Sequence, residues 1–183
     1  MVCILCDSLS FEIICKRCQQ TFLKPNIKKR DNIISFYSYE EVESLIKYKY
    51  HPFGSRIFHI LAKNSFLEFS KVYTDKCYSI PIDDKVTKGY SHTAILNRYL
   101  KSKYITPLYK VLLAQNNISY AGKSLEYRKN NKRDFLYKGL ENIDAILVDD
   151  IVTTSTTINE AKEVLKKYNV NIKFSLVLVD KRW

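Results

Sequence analysis

The segment at residues 145–160, AILVDDIVTTSTTINE, constrains the fold of this chain more than any other part of it. Four apolar residues lead into two adjacent carboxylates, and five consecutive hydroxyl residues follow shortly after. Apolar residues at 143–148 predict a buried strand, and helically spaced apolar residues at 157–168 predict an amphipathic helix. Thr157 and Glu160 have the spacing of a capping box at the start of this helix. A strand that runs into a helix through a short polar turn is the repeating unit of an α/β sheet.

The rest of the chain continues this alternation of strands and helices. Further strands are predicted at residues 33–39, 77–82 and 172–179, and further helices at residues 40–50, 55–69 and 91–101. We therefore predict an α/β domain whose mostly parallel sheet is flanked by helices. Residues 104–113 contain Pro107 and predict a short or edge strand, whereas residues 116–140 predict a long loop with partial helix. No apolar run reaches the roughly 20 residues of a membrane-spanning helix.

The turn between the strand and the helix at residues 145–160 has the composition of a phosphate-binding loop. Backbone N–H groups at a helix N-terminus, with hydroxyl groups beside them, form a donor-rich cradle for a phosphate, and open α/β sheets bind ligands at the carboxyl ends of their strands. The adjacent aspartates can accept hydrogen bonds from two vicinal hydroxyls, as on a ribose, or help to hold Mg²⁺. The alternative is an ordinary turn in which one hydroxyl caps the helix and the others are solvated. The predicted phosphate-binding residues are Asp149, Asp150, Thr153, Thr154, Ser155, Thr156 and Thr157.

Four of the five cysteines form two Cys-x2-Cys pairs that are separated by eight residues. Such pairs supply the four thiolates of a tetrahedral structural zinc site and leave no open position for catalysis. We predict a zinc module at residues 1–24, a linker at residues 25–32 and the α/β domain at residues 33–183. A disulfide pair, which requires an oxidising compartment, and free thiols are the alternatives, and no secretory signal is visible. The predicted zinc ligands are Cys3, Cys6, Cys15 and Cys18.

The net charge of the 183-residue chain is +11 and is unevenly distributed. Residues 101–140 contain nine basic and two acidic residues, so that this stretch alone carries +7. Such a cluster favours an anionic partner, namely nucleic acid, a membrane surface or a phosphorylated metabolite. Aromatic rings between the cations suit single-stranded nucleic acid; the alternative is a solvated loop whose charge serves a pyrophosphate. The predicted DNA-binding residues are Lys123, Arg128, Lys129, Lys132 and Arg133.

Residues 148–157 resemble the phosphoribosyl pyrophosphate (PRPP) binding motif of type I phosphoribosyltransferases. The cysteine pairs add a narrower resemblance to ComF-type competence proteins, which combine an N-terminal four-cysteine zinc element with a phosphoribosyltransferase-like domain. Further segments similar to this family follow in order along the chain. They are Leu45-Ile-Lys-Tyr-Lys-Tyr50 with Gly54, Ile80-Pro-Ile82 with Lys88-Gly-Tyr-Ser-His92, and Ser124-Leu-Glu-Tyr-Arg-Lys-Asn-Asn131 with Phe135.

The resemblance implies a type I phosphoribosyltransferase-like fold and a role for several segments. The two adjacent aspartates would contact the ribose hydroxyls, directly or through Mg²⁺, and residues 153–157 would hold the 5′-phosphate. The turn that contains Asp83 and Lys88 would lie on the pyrophosphate side. Residues 120–135 would form a flexible flap over the site.

Two departures from the family pattern bear on this site. Ser155 stands where the family usually has glycine. If this position needs a positive φ, serine costs about 1 kcal/mol or more there; with ordinary backbone angles it adds a hydroxyl donor instead. Lys88, Ser91 and His92 replace the common Arg, Asn and Gln, and lysine cannot reproduce a bidentate arginine contact.

By this resemblance the chain would be a cytoplasmic protein, alternatively a peripheral one at the inner membrane, that handles single-stranded DNA in natural transformation. Its partners would be PRPP or a nucleotide and proteins of the DNA-uptake machinery. Two alternatives stay open: a metabolic phosphoribosyltransferase that acts on a nucleobase, and a non-catalytic zinc-containing adaptor. The sequence identifies no catalytic residue. His51, His59 and His92 are candidates for a general acid or base, and core or surface roles are favoured for the first two.

Overall fold

The computed structural model describes residues 1–83, 85, 86, 89–116 and 133–183 of the chain. In these ranges the strands are β1 (Lys28–Arg30), β2 (Ile33–Tyr37), β3 (Cys77–Pro81), β4 (Ile105–Pro107), β5 (Leu112–Ala114), β6 (Phe135–Tyr137), β7 (Asp144–Val152) and β8 (Asn171–Asp180). The helices are α1 (Lys16–Phe22), α2 (Tyr39–Ile46), α3 (Gly54–Asn64), α4 (Phe66–Val72), α5 (His92–Arg98) and α6 (Thr156–Lys166). A 3-10 helix at Lys47–Tyr50 follows α2.

Five of the six strands in the main sheet run parallel to one another. The strand order is β1-β2-β8-β7-β3-β4, and β1 lies antiparallel to its neighbour at one edge. Parallel neighbours need crossover connections rather than tight turns, and these connections place helices on the faces of the sheet. The predicted α/β architecture, a mostly parallel sheet flanked by helices, is therefore confirmed.

Strand β7 contributes to the hydrophobic cores on both sides of the sheet. Ile146 and Val148 belong to a buried cluster with residues of α2, α3 and α5, while Ala145 and Leu147 belong to a second cluster with residues of α6. All four side chains are fully buried, because successive side chains of a strand point to opposite faces and both faces are covered. This double burial explains why the strand is an uninterrupted apolar run in the sequence.

Residues 28–30, which the sequence assigns to a linker, form the antiparallel edge strand β1. A two-residue turn at Asp31 and Asn32 joins it to β2, and both residues have positive φ values, 48° and 61°. Two positive φ values match the twist of a hairpin, and Asp and Asn tolerate them better than other non-glycine residues. The strand consists of Lys-Lys-Arg, and charged residues of this kind are usual at an exposed sheet edge. Its composition therefore resembles that of a loop.

The N-terminal segment packs against the domain through a shared hydrophobic core. Ile14, Cys18 and Leu23 are buried in the same cluster as Phe36. The Tyr37 hydroxyl of β2 donates a hydrogen bond to the carbonyl oxygen of Leu23 at 3.2 Å. Residues 1–24 are thus fixed to the first parallel strand by apolar packing and by a buried hydrogen bond.

Two predicted helices differ from the observed ones. The helix predicted at residues 55–69 is divided at Ser65, which has φ −121° and ψ −72°. The Ser65 hydroxyl donates to the carbonyl oxygen of Leu61 at 2.6 Å where α3 ends, and α4 begins as a separate helix at Phe66. The helix predicted at residues 40–50 ends at Ile46 and continues as the 3-10 turn.

Most of the long loop predicted at residues 116–140 lies outside the described residues, which exclude 117–132. The end of this segment is not a loop, since residues 135–137 form β6 and pair antiparallel with β5. This two-stranded sheet packs on the same hydrophobic cluster as α6.

Candidate functional site

The predicted phosphate-binding loop lies at the carboxyl end of β7, which runs between β8 and β3. The strand continues past its predicted end at residue 148 to Val152, because Asp149 and Ile151 remain paired with β8. Residues 153–155 alone connect it to α6, which begins at Thr156. A short loop between a central strand and a helix is fixed at both ends, so its backbone groups are held in place.

Ser155 is the N-cap of α6 and has left-handed backbone angles, φ 58° and ψ 2°. The position thus has the positive φ for which glycine is the usual residue. The Ser155 hydroxyl makes no capping bond and instead accepts a hydrogen bond from the Arg182 guanidinium at 2.8 Å. The predicted capping box at Thr157 and Glu160 is wrong, because the helix begins one residue earlier and the Glu160 carboxylate accepts from the backbone N–H of Arg133 at 3.2 Å.

The start of α6 presents hydrogen-bond donors to the loop. The first N–H groups of a helix have no partner within the helix, and α6 has no acidic residue in its first turn. Thr153 and Thr154 are exposed, and Thr156 and Thr157 are partly exposed. The hydroxyl oxygens of Thr154 and Thr156 lie 2.9 Å apart. The structure therefore brings the predicted hydroxyl residues together around a positively polarised helix terminus.

The two adjacent aspartates have different environments although they are neighbours in β7. Asp150 is buried, with 5% of its surface exposed, whereas Asp149 is partly exposed. Burial and the negative charge of Asp150 raise the pKa of Asp149 to about 8. Burial alone would also raise the pKa of Asp150, but the positive charge of Lys49 outweighs it and holds that pKa well below its usual range. The pair therefore carries a single negative charge at neutral pH, located on Asp150.

Asp150 is contacted by residues from two other elements, of which Lys49 neutralises its charge. The Lys49 ammonium of the 3-10 helix lies 3.1 Å from its Oδ2, and Nε2 of His92 on α5 lies 3.6 Å from the same oxygen. The backbone N–H of Ile151 donates to its Oδ1 at 2.9 Å. The carboxylate charge of Asp150 raises the pKa of Lys49, so this lysine stays protonated. Lys49 is in turn placed by Tyr90, whose hydroxyl donates to the Lys49 carbonyl oxygen.

His92 lies beneath the acidic pair rather than on the surface. Its ring packs against Phe58 with the centroids 5.6 Å apart, and burial lowers its pKa although Asp150 opposes this effect. Within the described residues its Nδ1 has no hydrogen-bond partner. His92 is therefore a neutral, partly buried ring beside Asp150, which makes it the one histidine of three candidates that belongs to the site.

Asp83 and Arg133, which were predicted for two different surfaces, contact each other. The Arg133 guanidinium lies 3.1 Å from Oδ2 of Asp83, and the backbone N–H of Ala114 donates to Oδ1 at 3.0 Å. Asp83 therefore connects the turn after β3 with β5 and with the segment before β6. Both side chains are only 22% exposed. The other residues of these two predictions lie outside the described ranges, namely Lys88, Lys123, Arg128, Lys129 and Lys132.

The four predicted zinc ligands converge at the N-terminus. The sulfur atoms of Cys3, Cys6, Cys15 and Cys18 all lie within 4.8 Å of one another, and those of Cys6 and Cys15 are 3.8 Å apart. Four sulfurs at about 2.3 Å from a tetrahedral zinc ion lie roughly 3.8 Å from each other, so the cluster fits this ion.

Hydrogen bonds favour the thiolate form, which binds metals, at Cys3 and Cys6, whereas burial raises the pKa of Cys18. The backbone N–H groups of Cys15 and Cys18 point at the sulfurs of Cys3 and Cys15 at 3.3 and 3.4 Å. Hydrogen bonds with Ser8 lower the pKa of Cys6 to about 6. All five cysteines are free thiols, and the fifth, Cys77, is buried in the core as predicted.

Sequence reasoning missed two residues of the site, Lys49 and Arg182. Lys49 belongs to the family-like segment at residues 45–50, but the sequence predicts no function for it, because its partner Asp150 is 101 residues away. Arg182 follows the last predicted strand and matches no motif. Both contacts join segments that are distant in the sequence and could not be read from local spacing.

The described part of the chain contains no helix that is both long and apolar enough to cross a bilayer.

Solved structures similar to this chain include phosphoribosyltransferases. A hypoxanthine phosphoribosyltransferase from Staphylococcus aureus aligns at 17% identity and a TM-score of 0.40, over 67% of this chain and 62% of its own. An adenine phosphoribosyltransferase from Saccharomyces cerevisiae aligns at 14% identity and a TM-score of 0.42, over 89% of this chain and 87% of its own. The UMP synthase of Leishmania donovani aligns at 14% identity and a TM-score of 0.42, over 80% of this chain but 25% of its own.

The chain thus spans less than two thirds of the first enzyme and a quarter of the last. No protein-family model and no curated protein sequence matches the chain. At these identities and TM-scores the similarity concerns the arrangement of strands and helices, not the activity.

Proposed function

We propose that this chain binds PRPP, or a nucleotide with the same ribose 5-phosphate group, at the carboxyl end of β7. The observation that carries this proposal is the loop at residues 153–155, which leads from the two aspartates through a left-handed Ser155 into α6. The 5′-phosphate would accept hydrogen bonds from the first N–H groups of α6 and from the threonine hydroxyls. Asp149, three residues before the end of the same strand, supplies an acceptor for the ribose hydroxyls.

Magnesium would accompany PRPP, since Mg²⁺ binds carboxylates together with substrate phosphates. Asp149 is the better candidate ligand of the two aspartates, because Oδ2 of Asp150 already contacts Lys49 at 3.1 Å. The ion would replace the proton that Asp149 holds at neutral pH. The ion would neutralise negative charge on the pyrophosphate. Lys49 would keep Asp150 charged, and both Lys49 and His92 would hold its carboxylate in place beside the ribose side of the site.

We further propose the role of a ComF-type competence protein, which handles single-stranded DNA in natural transformation. This protein would act in the cytoplasm, or peripherally at the inner membrane, beside the DNA-uptake machinery. The ordered family-like segments support this role, as do the four-cysteine cluster and the charge of +7 in residues 101–140. Cations that neutralise phosphates release counterions, so DNA binding of this kind falls steeply with salt.

Isothermal titration with PRPP and Mg²⁺ tests the ligand proposal. Replacing Thr154 and Thr157 together by valine removes two hydroxyl donors but keeps the side-chain shape, and we expect the affinity to fall about tenfold or more. A matched variant, Thr21→Val/Thr106→Val, removes two hydroxyls on α1 and β4 and should bind like the wild type. A wild-type protein that does not bind PRPP contradicts the proposal and favours a non-catalytic zinc adaptor.

Release of pyrophosphate from PRPP separates a binding protein from a metabolic enzyme. We expect none with a panel of nucleobases. Turnover with one base, lost in the variant Asp149→Asn/Asp150→Asn, would establish the alternative of a metabolic phosphoribosyltransferase.

Fluorescence anisotropy of a labelled single-stranded oligonucleotide across a salt series tests the DNA proposal. We expect Lys129→Ala/Lys132→Ala to weaken binding and to reduce the slope of log affinity against log salt by roughly 1.4, about 0.7 for each lost phosphate contact. Lys63→Ala/Lys71→Ala, which removes two exposed cations from α3 and α4, is the matched control. Absence of binding at low salt, or equal losses in both variants, would exclude DNA binding through residues 129–132.

A further inference from the structure

We propose that Arg182 is a positioning residue of the phosphate site, which holds Ser155 in the left-handed conformation that the loop requires. This inference rests on the proposed function, because it concerns the affinity of the same loop for PRPP. It assigns a role to a residue that lies 27 positions from the loop and belongs to none of the family-like segments.

The loop needs such a contact because serine is a poor residue at this position. A positive φ brings the Cβ of a non-glycine residue close to the backbone. A loop with serine at this position would therefore prefer other conformations when nothing holds it. Ser155 has φ 58° and makes no capping hydrogen bond that would compensate. Its hydroxyl oxygen accepts from the Arg182 guanidinium at 2.8 Å. This hydrogen bond exists only when the Ser155 side chain points toward β8, so it selects the observed conformation.

Arg182 is itself rigidly placed. Its Nε donates to Oδ1 of Asp180 at 2.7 Å, and its backbone N–H donates to the same oxygen at 3.1 Å. A second carboxylate, Asp31 in the turn between β1 and β2, lies 2.9 Å from the guanidinium. Asp180 is 1% exposed and the Arg182 side chain is 18% exposed. The planar fork of arginine contacts both oxygens of Asp180 and still donates to Asp31 and Ser155. Lysine cannot reproduce such a bidentate contact.

The charges around Arg182 indicate that it positions Ser155 rather than attracting the phosphate electrostatically. Its positive charge and that of the nearby Arg30 are matched by Asp180 and Asp31, which lie in the same network. A balanced set of charges gives little attraction for a phosphate at a distance. Arg182 therefore acts through Ser155. Its contribution to PRPP affinity should disappear when residue 155 is a glycine, which adopts the positive φ by itself.

A double-mutant cycle of PRPP affinity tests this inference. Arg182→Gln should weaken PRPP binding about fivefold, because the loop samples other conformations and is competent for only part of the time. Ser155→Gly should bind at least as tightly as the wild type, since glycine adopts the positive φ without support. In the Ser155→Gly background the same Arg182→Gln change should alter the affinity by less than twofold. Lys181→Gln, at the neighbouring exposed residue, is the charge-matched control and should bind like the wild type.

The melting temperature of each variant separates positioning from a general loss of stability. Arg182→Gln leaves the buried Asp180 without its main partner, so the melting temperature should fall in both backgrounds, while the affinity should fall only where residue 155 is serine. Ser155→Ala provides an independent check in a fully folded chain: it keeps the Cβ and removes the hydroxyl, and should bind more weakly than Ser155→Gly.

Two outcomes would overturn the inference and can be told apart. A fivefold loss from Arg182→Gln in both backgrounds would show that the guanidinium contacts the ligand directly and does not act through Ser155. No PRPP binding by the wild-type protein would overturn the proposed function, and this inference with it.

Discussion

At the residue scale, two identical side chains in consecutive positions acquire different properties from their surroundings. The motif predicts an acidic pair, and the sequence alone treats its members as equivalent. In the structure Asp150 is paired with Lys49 and stays charged, while burial and that neighbouring charge raise the pKa of Asp149 to about 8. The difference comes from residues that are distant in sequence, so no local pattern could reveal which aspartate is buried and charged.

The pair of Lys49 and Asp150 gives a prediction about stability. Lys49→Met keeps most of the side-chain volume but leaves a buried carboxylate without its cation, and we expect the free energy of unfolding to fall by about 3 kcal/mol. Urea denaturation measures this change. Lys47→Met is the matched control, since Lys47 pairs with Glu43 on the surface and is 69% exposed. Equal effects of the two substitutions would show that the buried pair is not formed.

The pKa of Asp149 predicts how stability depends on pH. An unfolded aspartate titrates near about 3.9, so between that pH and about 8 the folded state retains a proton that the unfolded state has released. Asp149 therefore destabilises the fold increasingly as the pH rises through this range. We expect Asp149→Asn to be more stable than the wild type at pH 8, and this advantage to shrink toward pH 5. Urea denaturation at several pH values measures it, with Asp75→Asn as the control; a difference that does not change with pH would contradict the assignment.

At the scale of elements, the segments with strong periodicity could be predicted and their boundaries could not. β7 is evident as an apolar run because both of its faces are covered. α6 is evident from helical spacing because one of its sides packs against the sheet. Pairing with β8 extends β7 to Val152, and a left-handed Ser155 starts α6 early. β1 escapes prediction because an edge strand of basic residues resembles a loop. Ser65 ends α3 within an apolar pattern that continues through it.

The four-cysteine cluster predicts one bound zinc ion per chain. Cys6→Ser removes one ligand at an exposed position and should lower the zinc content measured by inductively coupled plasma mass spectrometry to well below one. Cys77→Ala, a substitution of the buried fifth cysteine, should retain the metal. Zinc that stays at one per chain in Cys6→Ser, or no zinc in the wild type, would contradict the prediction.

At the scale of the whole molecule, the N-terminal segment and the α/β domain share one hydrophobic cluster. Zinc that stabilises residues 1–24 should therefore stabilise the entire chain. We expect calorimetry to show one unfolding transition, whose midpoint falls when a chelator removes the metal. A separate transition at lower temperature, with the main one unchanged, would mean that the two parts unfold independently.

The central claim is that a ribose 5-phosphate group binds at residues 153–158, which form the loop after β7 and the start of α6. Backbone amide chemical shifts, followed by NMR while PRPP and Mg²⁺ are added, report on this place directly and without any substitution. We predict the largest shift changes at the N–H groups of Ser155, Thr156 and Thr157, which should move to the positions expected for hydrogen bonds to a phosphate. Changes that are absent there, or that are largest at the four-cysteine cluster, would contradict the claim.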